Sequence, residues 1–210
     1  MLPGPTIIKK CSECSGLIEE STIMSGNTFG ATFWTDGKRE APMLPDYWWL
    51  VTCPHCLAPL WLDEQEQVGE REPWGEDDTF EDARPCQEPS MDAYIRALDN
   101  GGSSPEKARY LRFRVWWAGN DPRRATKART PLSSKEVGNL EALAGLLDSA
   151  DQNNRLTKAE IMRELGRYHE AAGLLAEPFD EQLSKAAALI GALVQQKTPY
   201  VTEMRFDEAA

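Results

Sequence analysis

The chain has 210 residues, 41% of them hydrophobic and 27% charged, with a formal net charge of −11. That length allows one full core plus a small satellite unit, and no stretch approaches the roughly 18 uninterrupted apolar residues of a membrane span. All the excess negative charge lies in residues 1–88, which hold 17 acids against 6 bases, whereas residues 89–210 hold 17 of each. The first part therefore repels nucleic acid over its general surface, and any polyanion site has to be local to a later basic patch.

Met1 to Ile8 is interrupted by Pro3, Gly4 and Pro5 and followed by Lys9 and Lys10, which is the wrong order for a secretory signal, so a cytoplasmic location is expected. From Thr6 to about Leu62 short β-like runs alternate with turn formers. Thr6-Ile7-Ile8 leads into a first cysteine pair, Ala31 to Trp34 is followed by Asp36-Gly37, and Trp48 to Thr52 leads into a second pair. Asp-Gly between two short runs predicts a tight hairpin. Ser25 to Gly30 and Pro42 to Pro45 are irregular and read as covering loops. Asp63 to Glu88 is acid-rich, contains Pro73, Gly75 and Pro85, and has little apolar periodicity beyond Trp74 and Phe80; it reads as a linker that these two aromatics could pin to a neighbouring domain.

From Ser90 onward helix signals dominate. Ser104-Pro105-Glu106 is a start signal that predicts a helix from 105 to about 118. Ser133 with Glu136 three residues later opens a helix over about 135–148, and Thr157 with Glu160 reads as a second capping box, with Leu156 and Ile161 as its hydrophobic staple. That helix is expected to stop at Gly166, and two more are expected near 168–176 and 181–196.

Cys11/Cys14 and Cys53/Cys56 form two Cys-x-x-Cys pairs separated by 38 residues. Each pair can fold as a knuckle with both sulfurs facing one point, and two knuckles complete the tetrahedral thiolate shell that Zn2+ prefers. A segment of about 60 residues has little core of its own, so a structural metal is the reason expected for its folding. Disulfides are disfavoured in a reducing compartment, and unrelated free thiols by the paired spacing. Cys53-Pro54-His55-Cys56 is also similar to the active-site motif of DsbA-type thioredoxin-fold oxidants. In that family the pair opens a helix, whereas Pro59 here suits a strand or turn. His55 is expected to be an exposed side chain, and Cys86 a free thiol.

Ala159, Met162, Gly166, Tyr168, Ala171 and Leu175 resemble the central part of a tetratricopeptide (TPR) repeat, which implies packed helical hairpins able to form a concave surface for a peptide or protein partner. A four-cysteine zinc ribbon joined to such helices also resembles several bacterial families, and that resemblance transfers no catalytic residues. The fold class expected is α+β: a zinc ribbon over 1–62, an acidic linker over 63–88, an all-α TPR-like domain over 89–200, and a tail over 201–210.

Residues 107–129 carry eight bases opposed by Asp121 alone, interleaved with Tyr110, Phe113, Trp116 and Trp117. Arg109, Arg112, Arg123, Arg124 and Lys127 are the candidate polyanion-binding residues, although the aromatics fall at core spacing and the acidic linker offers internal partners. His55 and His169 lack catalytic company, and no metalloprotease, nucleophile-elbow, phosphate-loop or dinucleotide motif is present. The expected role is therefore a non-enzymatic interaction or adaptor protein whose partner is another protein or peptide. The alternatives are a nucleic-acid- or ribosome-associated accessory protein using residues 107–129, and a thiol oxidoreductase using Cys53 and Cys56.

Overall fold

The computed structural model describes residues 1–75, 79–100, 104–126 and 129–205. The architecture is mixed α+β, and the chain divides into two compact units: Met1–Ala31 with Glu40–Ala93, and Thr32–Arg39 with Tyr94–Ala210. Among the described residues no helix is long and apolar enough to cross a membrane.

In the first unit β1 (Leu2–Pro3) pairs antiparallel with β4 (Ile23–Ser25). A second sheet pairs β2 (Thr6–Lys10) antiparallel with β3 (Leu17–Glu20), so the loop between them carries Cys11 and Cys14. The second cysteine pair occupies the loop of another hairpin, β7 (Leu50–Thr52) with β8 (Pro59–Trp61). The segment expected as a linker instead completes the four-stranded sheet. β9 (Glu66–Arg71) lies antiparallel along β2, and β10 (Arg84–Pro85) lies parallel to β3. Acid-rich composition concealed β9 because it is a half-exposed strand whose charges face outward and pair locally, as Arg71 does with Glu19. Phe80 packs its ring on Gly69 of β9, where any side chain would collide with it, whereas Trp74 remains 73% exposed. The core cluster holds Cys11, Ile18, Val51, Cys53, Leu60 and Leu62, with Trp48, Ala58 and Cys86 at its margin, and Ile8 and Leu50 are buried as well.

β5 (Thr32–Trp34) and β6 (Arg39–Glu40) form the Asp-Gly hairpin. Its loop holds three residues rather than two: the Gly37 N–H donates to the Trp34 carbonyl, the Trp34 N–H donates to Lys38, and Gly37 takes a φ of 78°. This loop size puts glycine at the left-handed position. The hairpin belongs to the second unit, not to the cysteine-bearing one, because Asp36 at its tip is buried against helix side chains and β11 (Glu203–Met204), in the expected tail, pairs with β5.

The helices are α1 (Met91–Asp99), α2 (Pro105–Thr126), α3 (Ser134–Leu146), α4 (Gln152–Glu164), α5 (Tyr168–Leu174) and α6 (Glu181–Gln195). The Ser133/Glu136 capping box is present at the start of α3. α2 runs past the predicted end near 118 and carries Pro122 inside it; guanidinium hydrogen bonds from Arg124 to the Trp117 carbonyl (3.0 Å) and from Arg123 to that of Gly119 (2.6 Å) hold the turn that proline weakens. α4 starts earlier than expected, capped by Asp151, which accepts from the Asn154 N–H at 2.8 Å. Thr157 is consequently interior and donates back to the Asn153 carbonyl, and Glu160 is buried rather than a capping residue. α4 does end at Gly166, whose φ of 73° and paired return bonds from Gly166 and Arg167 to the Arg163 and Met162 carbonyls close a Schellman motif. Ala159, Met162 and Ala171 are buried in the α4–α5 hairpin as the repeat-like pattern implied, though α5 is only 7 residues long. The helical core gathers Trp116, Leu140, Leu143, Ile161, Ile190 and Val194 among others.

Candidate metal centre

The two cysteine loops are built alike. In each, the first cysteine accepts at its carbonyl from the residue four positions on and donates its N–H to the residue five positions on. Ser15 donates to Cys11 (2.9 Å) and Cys11 to Gly16 (2.9 Å); Leu57 donates to Cys53 (3.0 Å) and Cys53 to Ala58 (2.9 Å). Ser15 and Leu57 accordingly take φ of 62° and 63°, two of the three positive-φ non-glycine residues described. This tight return brings the sulfurs three residues apart to one side of the loop. Backbone N–H groups then point at sulfur, Gly16 to Cys14 and His55 to Cys53, both at 3.4 Å, which favours the thiolate.

The four Sγ atoms all lie within 4.8 Å of one another, with Cys11 and Cys56 at 3.8 Å and Cys14 and Cys53 at 3.8 Å. A disulfide needs about 2.05 Å, so these separations are not bonded pairs. Four sulfurs arranged tetrahedrally at about 2.3 Å from a central ion would be separated by about 3.8 Å. The donor set and its spacing thus fit a metal ion. Cys11 and Cys53 are buried in the core while Cys14 and Cys56 face solvent, so an ion there would join the core to the surface loops. Four protein ligands fill a tetrahedral shell and leave no open position for substrate.

Burial pushes the Cys53 thiol up to about 12, so at neutral pH its thiolate requires a compensating cation. This is the opposite of a catalytic thiol, whose pKa is depressed at a helix N-terminus. The Cys53 pair indeed sits in a strand-to-strand loop, not at a helix start. His55 is exposed, as expected, but it is not idle: its Nε2 lies 2.8 Å from the Leu17 carbonyl and its ring packs on Gly16, tying the second loop to the first. Cys86 is half-buried, and burial followed by the nearby Glu20 carboxylate raises its thiol to about 11.

The candidate polyanion residues do not form one exposed stripe. Arg123 is buried and pairs with Glu136 at 2.5 Å, and Arg124 is buried and pairs with Asp36 and Asp121. Arg112 is half-buried beside Asn139, and only Arg109, hydrogen-bonded to Asn154 at 2.8 Å, is openly exposed. Lys127 lies outside the described residues. Asp36, Asp121 and Glu136 are thus the partners of Arg123 and Arg124, at the centre of the basic segment.

Those pairs belong to a buried polar network that sequence reasoning missed. Arg163, fully buried, forks onto Glu160 at 2.7 and 2.5 Å and donates to the Thr198 and Tyr200 carbonyls. Glu164 accepts from Trp116 Nε1 at 2.9 Å and Asn120 Nδ2 at 3.2 Å, and Asn120 also donates to Asp36 at 3.0 Å. Asp36 thus pairs with Arg124 and Glu160 with Arg163, while Glu164 accepts from neutral donors. Burial, then repulsion from Glu160 and Asp36, raises the Glu164 carboxyl to about 8. The available signal was Glu160, Arg163 and Glu164 at helical spacing on the face that also carries Ala159 and Met162. Comparison of the chain with known protein families, curated proteins and solved structures returns no match.

Proposed function

We propose that the chain is a non-enzymatic interaction or adaptor protein whose first unit is a zinc ribbon held by one structural Zn2+ on Cys11, Cys14, Cys53 and Cys56. The observation that carries the zinc reading is the sulfur spacing of 3.8 Å across two loops of matching hydrogen-bond pattern. All-sulfur tetrahedral sites select zinc or iron, and a closed site of two separated Cys-x-x-Cys loops is the common structural zinc arrangement. Support for interaction comes from an apolar rim on the same unit. Met1, Leu2 and Met24 are 50%, 41% and 68% exposed on the β1–β4 ribbon, and the N-terminal amine touches Met43 Sδ. Clustered exposed methionines offer an adaptable apolar contact surface to another protein. The TPR-like reading of α4 and α5 adds a helical hairpin to that picture without extending it to a repeat array.

A nucleic-acid-associated role through residues 107–129 has less support, because its central arginines are consumed by internal ion pairs. Thiol oxidation at Cys53 has less support, because its pair sits in a strand-to-strand loop and not at a helix N-terminus. The test is to identify a partner by cross-linking, then compare Met24→Ser/Met43→Ser protein with the parent. Binding to the identified partner is expected to fall at least tenfold with bound zinc and circular dichroism unchanged. Unchanged binding would reject the rim.

A further inference from the structure

Within the second unit, a cavity of about 380 Å3 is lined by Arg123, Arg124, Arg129 and Arg205 together with the rings of Trp34 and Tyr200. This volume lies at the low end for small-molecule sites, which run from about 300 to 1,000 Å3. The guanidinium groups are held in place by different means. Arg123 spends its donors on Glu136 and on the carbonyls of Thr130, Pro131 and Gly119. Arg124 commits both terminal nitrogens, to Asp36 and to Asp121 with the Trp117 carbonyl, and lies 5.5 Å over the Trp34 ring. Its Nε–H, however, is buried and has no acceptor among the described residues, and a buried donor in that condition calls for a partner. Arg129 is exposed, stacks 5.8 Å over Tyr200 and makes no ion pair among the described residues. The one acid on the wall, Glu203, is taken by Arg205 at 3.0 Å.

We propose that this cavity binds a small oxyanion carried on a planar body, an aryl or heterocyclic phosphate or carboxylate, with Arg129 on the oxyanion and Trp34 and Tyr200 against the ring. Guanidinium planes suit both parts of such a ligand, since they donate to oxyanions in a fixed fork and stack on aromatic faces. Of the arginines that first suggested a polyanion stripe, Arg123 and Arg124 line this cavity, whereas Arg109 and Arg112 do not.

Isothermal titration at low salt of the full chain with phenyl phosphate, benzoate, inorganic phosphate and the neutral benzyl alcohol tests the assignment. At least one aryl anion is expected to bind, more tightly than inorganic phosphate, while benzyl alcohol does not; the tighter of phenyl phosphate and benzoate identifies the oxyanion class. Arg129→Ala is expected to weaken binding at least tenfold and Arg129→Lys by less, whereas Arg109→Ala, which removes an exposed arginine outside the cavity, leaves it unchanged. Absence of binding by either aryl anion, equal binding of benzyl alcohol or of inorganic phosphate, or equal loss from Arg109→Ala and Arg129→Ala would overturn the proposal. Matched far-UV circular dichroism of the variants excludes misfolding as the cause.

Discussion

The two units solve the same problem, holding a chain in one shape, with opposite materials. The first gathers a core cluster of six buried residues, two of them cysteines, beside buried Ile8 and Leu50, so its apolar burial is modest and a metal on the four sulfurs is expected to supply much of its stability. The second has a larger apolar cluster drawn from α2, α3, α4, α5 and α6 and can afford to bury Asp36, Arg124, Glu160, Arg163 and Glu164 beside it. A small core has the most to gain from coordination; a large one tolerates charge. Removing one ligand from the first unit and one ion from the second is therefore expected to fail in different ways.

The largest effect belongs to the sulfurs. Cys53→Ser is expected to unfold the first unit, because structural zinc sites couple about 10 to 16 kcal/mol of metal binding to folding. The helical signal of the second unit should persist, which hydrogen exchange resolved along the chain would read directly. Loss of protection in both units together would break the distinction drawn here.

Arg163→Met attacks the second unit instead. It strands fully buried Glu160 without its partner and removes a donor from the Thr198 and Tyr200 carbonyls; breaking a buried pair in this way costs about 3 to 5 kcal/mol. Urea denaturation followed through the tryptophans should show that loss with metal content unaltered. Replacing both ions, as Glu160→Leu/Arg163→Met, should recover part of it, since an unpaired buried charge is worse than none.

How much of this contrast could be read from residues alone differed between the units. Cysteine spacing marked the four residues whose sulfurs converge, and Gly166 and the Ser133/Glu136 box marked helix ends because local hydrogen bonds suffice there. What stayed hidden depended on distant partners. β9 is a strand only because β2 lies beside it, and the 32–39 hairpin joins the second unit only because Asp36 meets Arg124, 88 residues away. The Thr157/Glu160 pattern satisfied a local rule, yet Asp151 caps α4 and Glu160 is claimed by Arg163.

Glu164 gives a smaller, pH-dependent effect. Its carboxyl holds a proton up to about pH 8 in the folded chain, against an ordinary value of 4.5. Between those limits the folded state binds the extra proton, so this group's stabilisation is complete below the lower limit and is lost as pH rises, by up to about 1.4 kcal/mol per pH unit. Glu164→Gln, which cannot ionise, should flatten that decline between pH 5 and 8. Parallel stability curves for parent and variant would show that Glu164 is already ionised.

The smallest effect returns to the first unit. Leu57 is 68% exposed with a φ of 63°, a conformation that costs a residue with a side chain about 1 to 2 kcal/mol. Leu57→Gly should therefore stabilise the metal-bound form by about 1 kcal/mol or less, after glycine's own entropy is counted. A loss of stability would mean that the Leu57 side chain packs in a way its exposure hides.

Coordination more than burial is expected to hold the first unit together. Elemental analysis of purified protein, followed by hydrogen exchange before and after a strong chelator, tests it most directly. One zinc per chain is expected, with protection lost in β2, β3, β7 and β8 on chelation while α3 and α4 stay protected. Protein that carries no stoichiometric metal, or that keeps those strands protected in chelator, would contradict it.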